Sequence, residues 1–262
     1  MKQILTIIDK EWAEVFKNKV VLFTTILMPL LFTALPLIML SVTAGTTIPG
    51  GDSTDIPELF ASVCGSMNAA DCMQAYMINQ FLVLFMIMPL IIPITIAAYS
   101  IVGEKTTRSL EPLLATPLST EQLLAGKALA AALPAIGATW LCFFLFQLLM
   151  PLTGAGQAVR AYVLGPTWLL GVLVVGPLMA IAAVNFAIMV SSRVNDPRIA
   201  EQLAAVLIIP VMALLFGQVA GILVINLQLM LIVIAVLVVF DLILVYLGAR
   251  LFQRETILTR WK

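Results

Sequence analysis

The sequence predicts an all-α integral membrane protein with six transmembrane helices. The chain of 262 residues is 62% hydrophobic and only 11% charged, and its mean hydropathy is +1.10. A water-soluble domain of this length needs a larger polar fraction to cover its surface. Several long runs carry no charged side chain at all, and such runs are typical of spans that cross a bilayer.

Before the first span, residues 3–19 predict an amphipathic helix. Ile4, Ile8, Trp12 and Val15 fall at helical spacing on one face, and most charged side chains lie elsewhere on the wheel. A helix with an apolar stripe, a charged face and a tryptophan can lie flat in the membrane interface, which is what we expect here. The alternative is a charged lead-in that only holds the first span.

Six spans follow in order, separated by polar stretches. The uncharged run Gln202–Phe240 is too long for one helix, and Asn226 and Gln228 mark the turn that divides it. Prolines inside several spans are tolerated because neighbouring groups in a membrane protein re-satisfy the freed carbonyls. The predicted spans are Val20–Val42, Gln80–Ile101, Ala128–Met150, Thr167–Val190, Gln202–Ile225 and Leu229–Leu251.

Basic residues are confined almost entirely to alternate connections. The N-terminus, residues 103–127, residues 191–201 and the C-terminal tail hold thirteen of the fourteen Lys and Arg residues, and the other connections hold only Arg160. By the positive-inside rule, both termini and residues 103–127 are cytoplasmic, and the loop 44–78 is external. We therefore expect a multi-pass protein of the cell membrane, meaning a plasma or inner membrane.

The external loop carries Cys64 and Cys72. In an oxidising compartment these two residues are a candidate disulfide pair, and the alternative is two free thiols. The third cysteine is Cys142. There is no Cys-x-x-Cys motif and no histidine in the chain, so we expect no metal site.

The chain lacks the residues of most catalytic and nucleotide-binding sites. Without histidine, the commonest general base is missing. Gly126-Lys127 is the only pair that resembles a phosphate-binding loop, but Glu121 stands where that loop needs glycine, and no Ser or Thr follows the lysine. The net charge of zero gives no indication of nucleic-acid binding. We therefore expect no catalytic residue, no cofactor bound by this chain and no enzyme activity of its own.

Asp241 is the one carboxylate inside a predicted span. A carboxylate at membrane depth is costly, which makes it a functional-site hypothesis by default. Asp241 is therefore a candidate intramembrane contact for a substrate or an ion. The alternative is a carboxylate near the cytoplasmic third of the helix that pairs with Arg250 or with a neighbouring subunit.

The stretch Gly103–Lys127 is the one long charged segment between two uncharged runs. Ser109 to Pro112 predicts a helix start, since serine caps helices and proline suits a first turn. Pro117 ends that short helix, and Ser119 begins another that leads into the third span. A short amphipathic helix with exposed leucines suits docking in a partner's groove, and the alternative is an amphipathic loop lying on the membrane.

This stretch resembles the signature of the ABC-2 type permeases, the membrane subunits of a class of ABC exporters. Their pattern runs approximately E-R-E-x-G-T-L-E-x-L-L-x-T-P-V-S, with I as an alternative to V, and then G-K at the start of the third span. Thr106 replaces the second acidic residue and Arg108 replaces the glycine. The matching positions, two of them conservative, are Glu104, Lys105, Ser109, Leu110, Glu111, Leu113, Leu114, Thr116, Pro117, Ser119, Gly126 and Lys127.

The resemblance implies one transmembrane domain over residues 1–262, with an interfacial helix at 1–19, an external loop at 44–78 and a cytoplasmic coupling segment at 103–127. The coupling helix would sit in a cleft of a separate ATPase subunit, which binds ATP and Mg²⁺. Two ATPases and two permeases, the latter identical or related, would form the complex in the lipid membrane. The residues implied at the ATPase interface are Glu104, Leu110, Glu111, Leu113, Leu114, Arg193, Asp196 and Arg198.

The implied function is that of a permease subunit in an ATP-driven exporter of a drug, lipid-like molecule, peptide or ion. An apolar or amphipathic substrate is favoured because the spans offer little to bind a strongly charged one. One alternative is a secondary transporter driven by an ion gradient, which normally needs several charged residues in the membrane, often in repeated halves. Another is a non-transport membrane scaffold, which leaves the elaborate polar segment unexplained.

Overall fold

The structure, a computed structural model, describes residues 2–15, 17, 19–44, 56–65, 67–106 and 120–251. Within those ranges the chain forms helices and no strand, so the predicted all-α class is confirmed. The helices are α1 (Lys2–Val15), α2 (Lys19–Ala44), α3 (Glu58–Cys64), α4 (Ala69–Phe85), α5 (Met88–Thr106), α6 (Thr120–Leu149), α7 (Gln157–Val163), α8 (Pro166–Leu170), α9 (Gly176–Ser191), α10 (Pro197–Ala204), α11 (Ile208–Val219) and α12 (Leu227–Leu251).

Six stretches of the described chain are long and apolar enough to cross a membrane, which confirms the predicted number. Several of them join two consecutive helices. The stretches are Thr25–Thr43, Ala69–Ser100, Gln122–Thr153, Gln157–Ser191, Pro197–Val219 and Leu227–Gly248. We call them spans 1 to 6. The N-terminal face of the bundle is the side that carries α1, and the disulfide face is the side that carries α3.

The predicted end of span 5 at Ile225 was wrong, because α11 ends at Val219. The predicted starts of spans 2 and 4 were also wrong, because each begins with helix that lies before the apolar run. Span 2 begins at Ala69 rather than Gln80, so the last part of the predicted loop 44–78 is helical. The side chain of Asn68 caps this helix by accepting a hydrogen bond from the backbone N–H of Asp71 at 2.7 Å. Span 4 likewise begins at Gln157 rather than Thr167, because α7 forms before the predicted start.

The bundle is built around α5, which packs against α6 and α9, and near its end against α10. Large apolar side chains such as Ile92 and Ile96 of α5 are fully buried. By contrast, spans 1, 5 and 6 present many leucine, isoleucine and valine side chains outward. A helix surface of that kind is stable against lipid, which agrees with a membrane-embedded body.

Span 4 contains a π-helical turn at Gly171–Val175, where the N–H of Gly176 bonds to the carbonyl of Gly171. In this register the carbonyl of Val172 would accept from residue 177, which is a proline without an N–H. The indole N–H of Trp140 in α6 donates to that carbonyl at 3.0 Å. The hydrogen bond from Trp140 therefore joins span 3 to span 4 at the Val172 carbonyl, for which span 4 itself supplies no N–H in this register.

Candidate functional site

The polar segment predicted to couple to a partner joins α5, which ends at Thr106, to α6, which begins at Thr120. Residues 107–119 lie outside the described residues, and so do the predicted interface residues Leu110, Glu111, Leu113 and Leu114. Glu104 lies in the last turn of α5. The site is therefore built from the two helices that flank the segment and from what packs on them.

Three side chains meet where α1 packs against α5 and α6, the two helices that flank the polar segment. They are Glu11 of α1, Ser100 of α5 and Lys127 of α6. We call this cluster the clamp. Lys127 Nζ donates to Glu11 Oε1 at 2.7 Å and to Ser100 Oγ at 2.8 Å, and Ser100 Oγ in turn donates to Glu11 Oε2 at 2.5 Å. The Lys127 and Glu11 side chains are only 5% and 3% exposed.

Because this ion pair is buried, what it contributes to the stability of the fold depends on its geometry. Two charges taken out of water lose their hydration, and their mutual attraction and hydrogen bonds offset that loss only in good geometry. Removing one partner leaves an uncompensated buried charge, which costs far more than the pair itself stabilises. The clamp therefore makes the position of α1 depend on the positions of α5 and α6.

Close packing brings α1 against α6 beside the ion pair. A Cβ atom added at Gly126 would lie 2.9 Å from a side-chain carbon of Ile7, so only glycine permits this approach. One turn further along α6, the indole N–H of Trp12 donates to the carbonyl of Ala130 at 2.9 Å. That carbonyl would normally accept from residue 134, which is Pro134 and has no N–H.

The opposite side of the α5 end is held by the connection between spans 4 and 5. Ala98, Val102 and Ala200 form a buried cluster, with Val190 and Val194 packed against it. Ala98 and Val102 are one helical turn apart on α5, whereas Ser100 points to the other side of the helix. The last turns of α5 therefore lie between α1 and α10.

Three predicted interface residues lie in this connection, on the same face as the clamp. Arg193, Asp196 and Arg198 are all exposed. Asp196 caps α10 by accepting from the backbone N–H of Arg198 at 2.8 Å. Arg193 borders an open depression of about 290 Å³, together with Met189, Val190, Val194 and Leu203. The structure therefore brings these residues near the end of α5.

Asp241 lies apart from the clamp, on α12, the helix that packs against α9. Asp241 is 7% exposed, and neither of its carboxylate oxygens has a hydrogen-bond partner among the described residues. Arg250, the alternative partner considered from the sequence, instead places its guanidinium carbon 4.6 Å from the centre of the Tyr246 ring.

The other predicted pair lies on the disulfide face. Cys64 and Cys72 are joined by a disulfide that links the end of α3 to the start of α4, with 5.4 Å between the Cα atoms. Phe60 of α3 packs edge-on against Tyr76 and Tyr162. Cys142 is a buried free thiol. No group of three or more His, Cys, Asp and Glu side chains that could hold a metal occurs in the described ranges.

Sequence reasoning missed Glu11, Ser100 and Trp12 as parts of the site. A signal for Glu11 was present, because it falls within the apolar stripe of α1, three residues after Ile8 and four before Val15. A carboxylate in that stripe needs a buried partner. Lys127 was noted only as part of a motif, although it is the last charge before a long apolar run.

This fold defines a multi-pass, all-α membrane protein whose N-terminal helix is bound to both helices that flank a polar connection. Residues 5–234 match the model of a family described as ABC-2 family transporter protein. The chain belongs to this family, whose members are membrane components of ABC transporters and act with an ABC ATPase. No curated protein matches the chain.

Proposed function

We propose that this chain is the permease subunit of an ATP-driven exporter. A separate ATPase subunit binds and hydrolyses ATP with Mg²⁺, and this chain has no nucleotide site and no catalytic residue. The family match supports the transporter class, and the clamp is the observation that carries the proposed mechanism. Two copies of the permease, identical or related, and two copies of the ATPase form the complex.

The N-terminal face is cytoplasmic in this proposal, and the chain lies in a plasma or inner membrane. The distribution of basic residues supports this orientation, since all but Arg160 fall in segments assigned to that face. A disulfide between Cys64 and Cys72 suits an oxidising compartment on the opposite side. In this orientation α1 lies in the interface between the lipid and the cytoplasm.

Movement of the ATPase would reach the spans through the polar segment between α5 and α6. A force on that segment acts on the ends of both helices, because the segment is continuous with them. Glu11, Ser100 and Lys127 tie these ends to each other and to α1. Buried, hydrogen-bonded contacts of this kind favour movement of packed elements as one body, so α1, α5 and α6 are expected to shift together.

The experiment is co-purification of the complex in detergent, followed by an assay of ATP hydrolysis. Glu111→Arg and Leu113→Asp in the polar segment are expected to lose the ATPase subunit or to uncouple its activity. Glu58→Arg and Leu59→Asp are matched controls at exposed positions of α3 on the disulfide face, and both are expected to behave as the wild type. A wild-type chain that purifies without any ATP-hydrolysing subunit would overturn the proposal.

A further inference from the structure

An apolar cavity of about 540 Å³ lies between spans 2, 4, 5 and 6. In the described chain, its lining side chains are aliphatic, aromatic or methionine, and none of them carries a charge or an amide. The volume falls in the range of ligand pockets, which is about 300–1,000 Å³. Water in such a space gains few hydrogen bonds, and an unfilled apolar space loses dispersion contacts along its walls. The cavity therefore favours an apolar occupant.

The floor of the cavity is formed mainly by spans 2 and 4. Met86 of span 2 and Met179 of span 4 line it and are only 6% and 7% exposed. Met230, near the start of span 6, also lines the cavity and is 5% exposed. Lipid that only surrounds the bundle does not reach side chains buried to this degree. Contact with them requires a molecule inside the cavity.

The mouth of the cavity lies between spans 5 and 6. Four side chains line the cavity and are also exposed, namely Pro210 and Ala213 of span 5 and Ile232 and Val236 of span 6. Although these spans are consecutive in the chain, α11 and α12 hardly contact each other within the described residues, so a gap separates them. All four side chains lie at least five residues inside the ends of their spans. The mouth therefore opens into the hydrocarbon region of the bilayer and not to water.

The cavity occupies the half of the membrane next to the disulfide face. The turn before span 6 lies at that face, since Val224 packs against the cluster around Cys64 and Cys72. The stripe of α12 that lines the cavity runs from Leu229 to Phe240, which at a rise of 1.5 Å per residue is about 16 Å. One leaflet contributes about 15 Å of the roughly 30 Å hydrocarbon core. The cavity is thus about as long as one leaflet is thick.

These features together indicate the occupant. A ligand dissolved in water has no direct path to a mouth that opens at membrane depth. A second copy of the chain would cover the mouth from outside but leave the recess behind it unfilled. An acyl chain of a membrane lipid is already present at the depth of the mouth, is apolar along its length and matches the cavity in extent. Its headgroup stays at the membrane surface, where water hydrates it.

We propose that this cavity binds one acyl chain of a phospholipid from the leaflet on the disulfide face, which enters between spans 5 and 6. The ester end of the chain lies near Met230 and its methyl end near Met179. Met230 marks the shallow end, because a Cβ atom added at Gly171 would lie 3.3 Å from its terminal methyl group. Met179 follows Gly171 by eight residues, which places it about 12 Å deeper along span 4. This inference goes beyond the proposed export function and does not depend on it.

The test is photo-crosslinking of the purified full-length chain in phosphatidylcholine nanodiscs, without any ATPase. Two phosphatidylcholine probes carry a diazirine in one acyl chain, the first near the ester and the second near the methyl end. After irradiation, the labelled residues are mapped by mass spectrometry of peptides. Ala213→Phe places a large side chain at the mouth of the cavity. Ala235→Phe is the matched control, because Ala235 is also exposed but is not among the lining residues.

In the wild type, we expect the ester-end probe to label Met230 and the methyl-end probe to label Met179. Outward-facing side chains such as Leu242, which is 66% exposed, should also be labelled because the surrounding lipid reaches them. Ala213→Phe should lose the labelling of both methionines and keep that of Leu242, whereas Ala235→Phe should keep all three. Since position 213 is exposed, Ala213→Phe should unfold at the same temperature as the wild type, which separates a blocked mouth from a misfolded chain.

Labelling confined to outward-facing side chains in the wild type would overturn the inference, and so would labelling of Met179 and Met230 that survives Ala213→Phe. A reversed pattern, with the ester-end probe on Met179, would overturn the assignment to the leaflet on the disulfide face. If both methionines stay unlabelled and Ala213→Phe changes the oligomeric state, a second copy covers the mouth and the inference is wrong. Labelling of the floor in a chain that never associates with an ATPase would reject the exporter but keep the lipid site, so the two experiments fail independently.

Discussion

The carboxylate of Glu11 and the ammonium of Lys127 lie 2.7 Å apart across 116 residues of sequence. The contact joins the N-terminal helix to the start of the third span, directly after the polar segment that is proposed to bind the ATPase. Because both side chains are almost fully buried, the position of each helix is sensitive to the state of the other.

Replacing one member of this pair should be more harmful than replacing both. Glu11→Gln or Lys127→Met alone should lower the free energy of unfolding by about 3–5 kcal/mol, since each leaves one buried charge uncompensated. The double variant should recover most of that loss. Thermal unfolding of the detergent-solubilised chain, arranged as a double-mutant cycle, measures the coupling between the two positions.

The same helix supplies a control for this cycle. Lys10 and Glu14 form an ion pair of 3.6 Å whose side chains are 38% and 55% exposed. Glu14→Gln should change stability by less than about 1 kcal/mol, because exposed pairs are screened by water and salt. If Glu11→Gln is no more harmful than Glu14→Gln, the clamp does not hold α1 in place.

The six-span plan was predictable because hydropathy and charge are properties of continuous stretches. The run from Gln202 to Phe240 was correctly divided near Asn226, whose side chain caps α12 by accepting from the N–H of Leu229. The start of span 2 was misplaced because residues 69–79 contain polar side chains, and hydropathy does not register the cap at Asn68 or the packing on α3.

The clamp could not be predicted in full, because its members come from three distant parts of the chain. The helical spacing of α1 shows that Glu11 is a carboxylate on an apolar face. The surrounding sequence does not indicate that Lys127 and Ser100 are its partners. The pairing of Trp12 with Ala130 depends in the same way on a three-dimensional approach. Only the missing N–H of Pro134 is visible in the sequence.

Trp12→Phe should destabilise the junction of α1 and α6 by about 1–3 kcal/mol, because it leaves the Ala130 carbonyl without a hydrogen bond. Combining it with Pro134→Ala should reduce the loss, since alanine restores an N–H for the same carbonyl. The measurement is thermal unfolding of the single and double variants. An equal loss in the presence and absence of Pro134 would show that Trp12 acts by packing alone.

Two glycines of α6 should respond in opposite directions to alanine. Gly137 has open space around the added methyl group, so Gly137→Ala should stabilise the helix by up to about 1 kcal/mol. Gly126→Ala should destabilise the chain, because its methyl group would meet Ile7 at 2.9 Å. The measurements are the thermal stability of the chain and the sensitivity of α1 to protease. Stabilisation by both substitutions would contradict the close approach of α1 to α6.

Reduction of the disulfide should test both the stability of the disulfide face and the orientation of the chain. Because Cys64 and Cys72 are eight residues apart, their bond should contribute about 2–3 kcal/mol, near the lower end of the usual range for disulfides. Cys64→Ser with Cys72→Ser should lose that amount.

In intact cells, a membrane-impermeant thiol reagent should label the wild type only after reduction, because Cys64 and Cys72 are then free on the external side. The double Ser variant, which retains only buried Cys142, should stay unlabelled. Labelling of the wild type only after the membrane is permeabilised would place the disulfide face inside and reverse the proposed orientation.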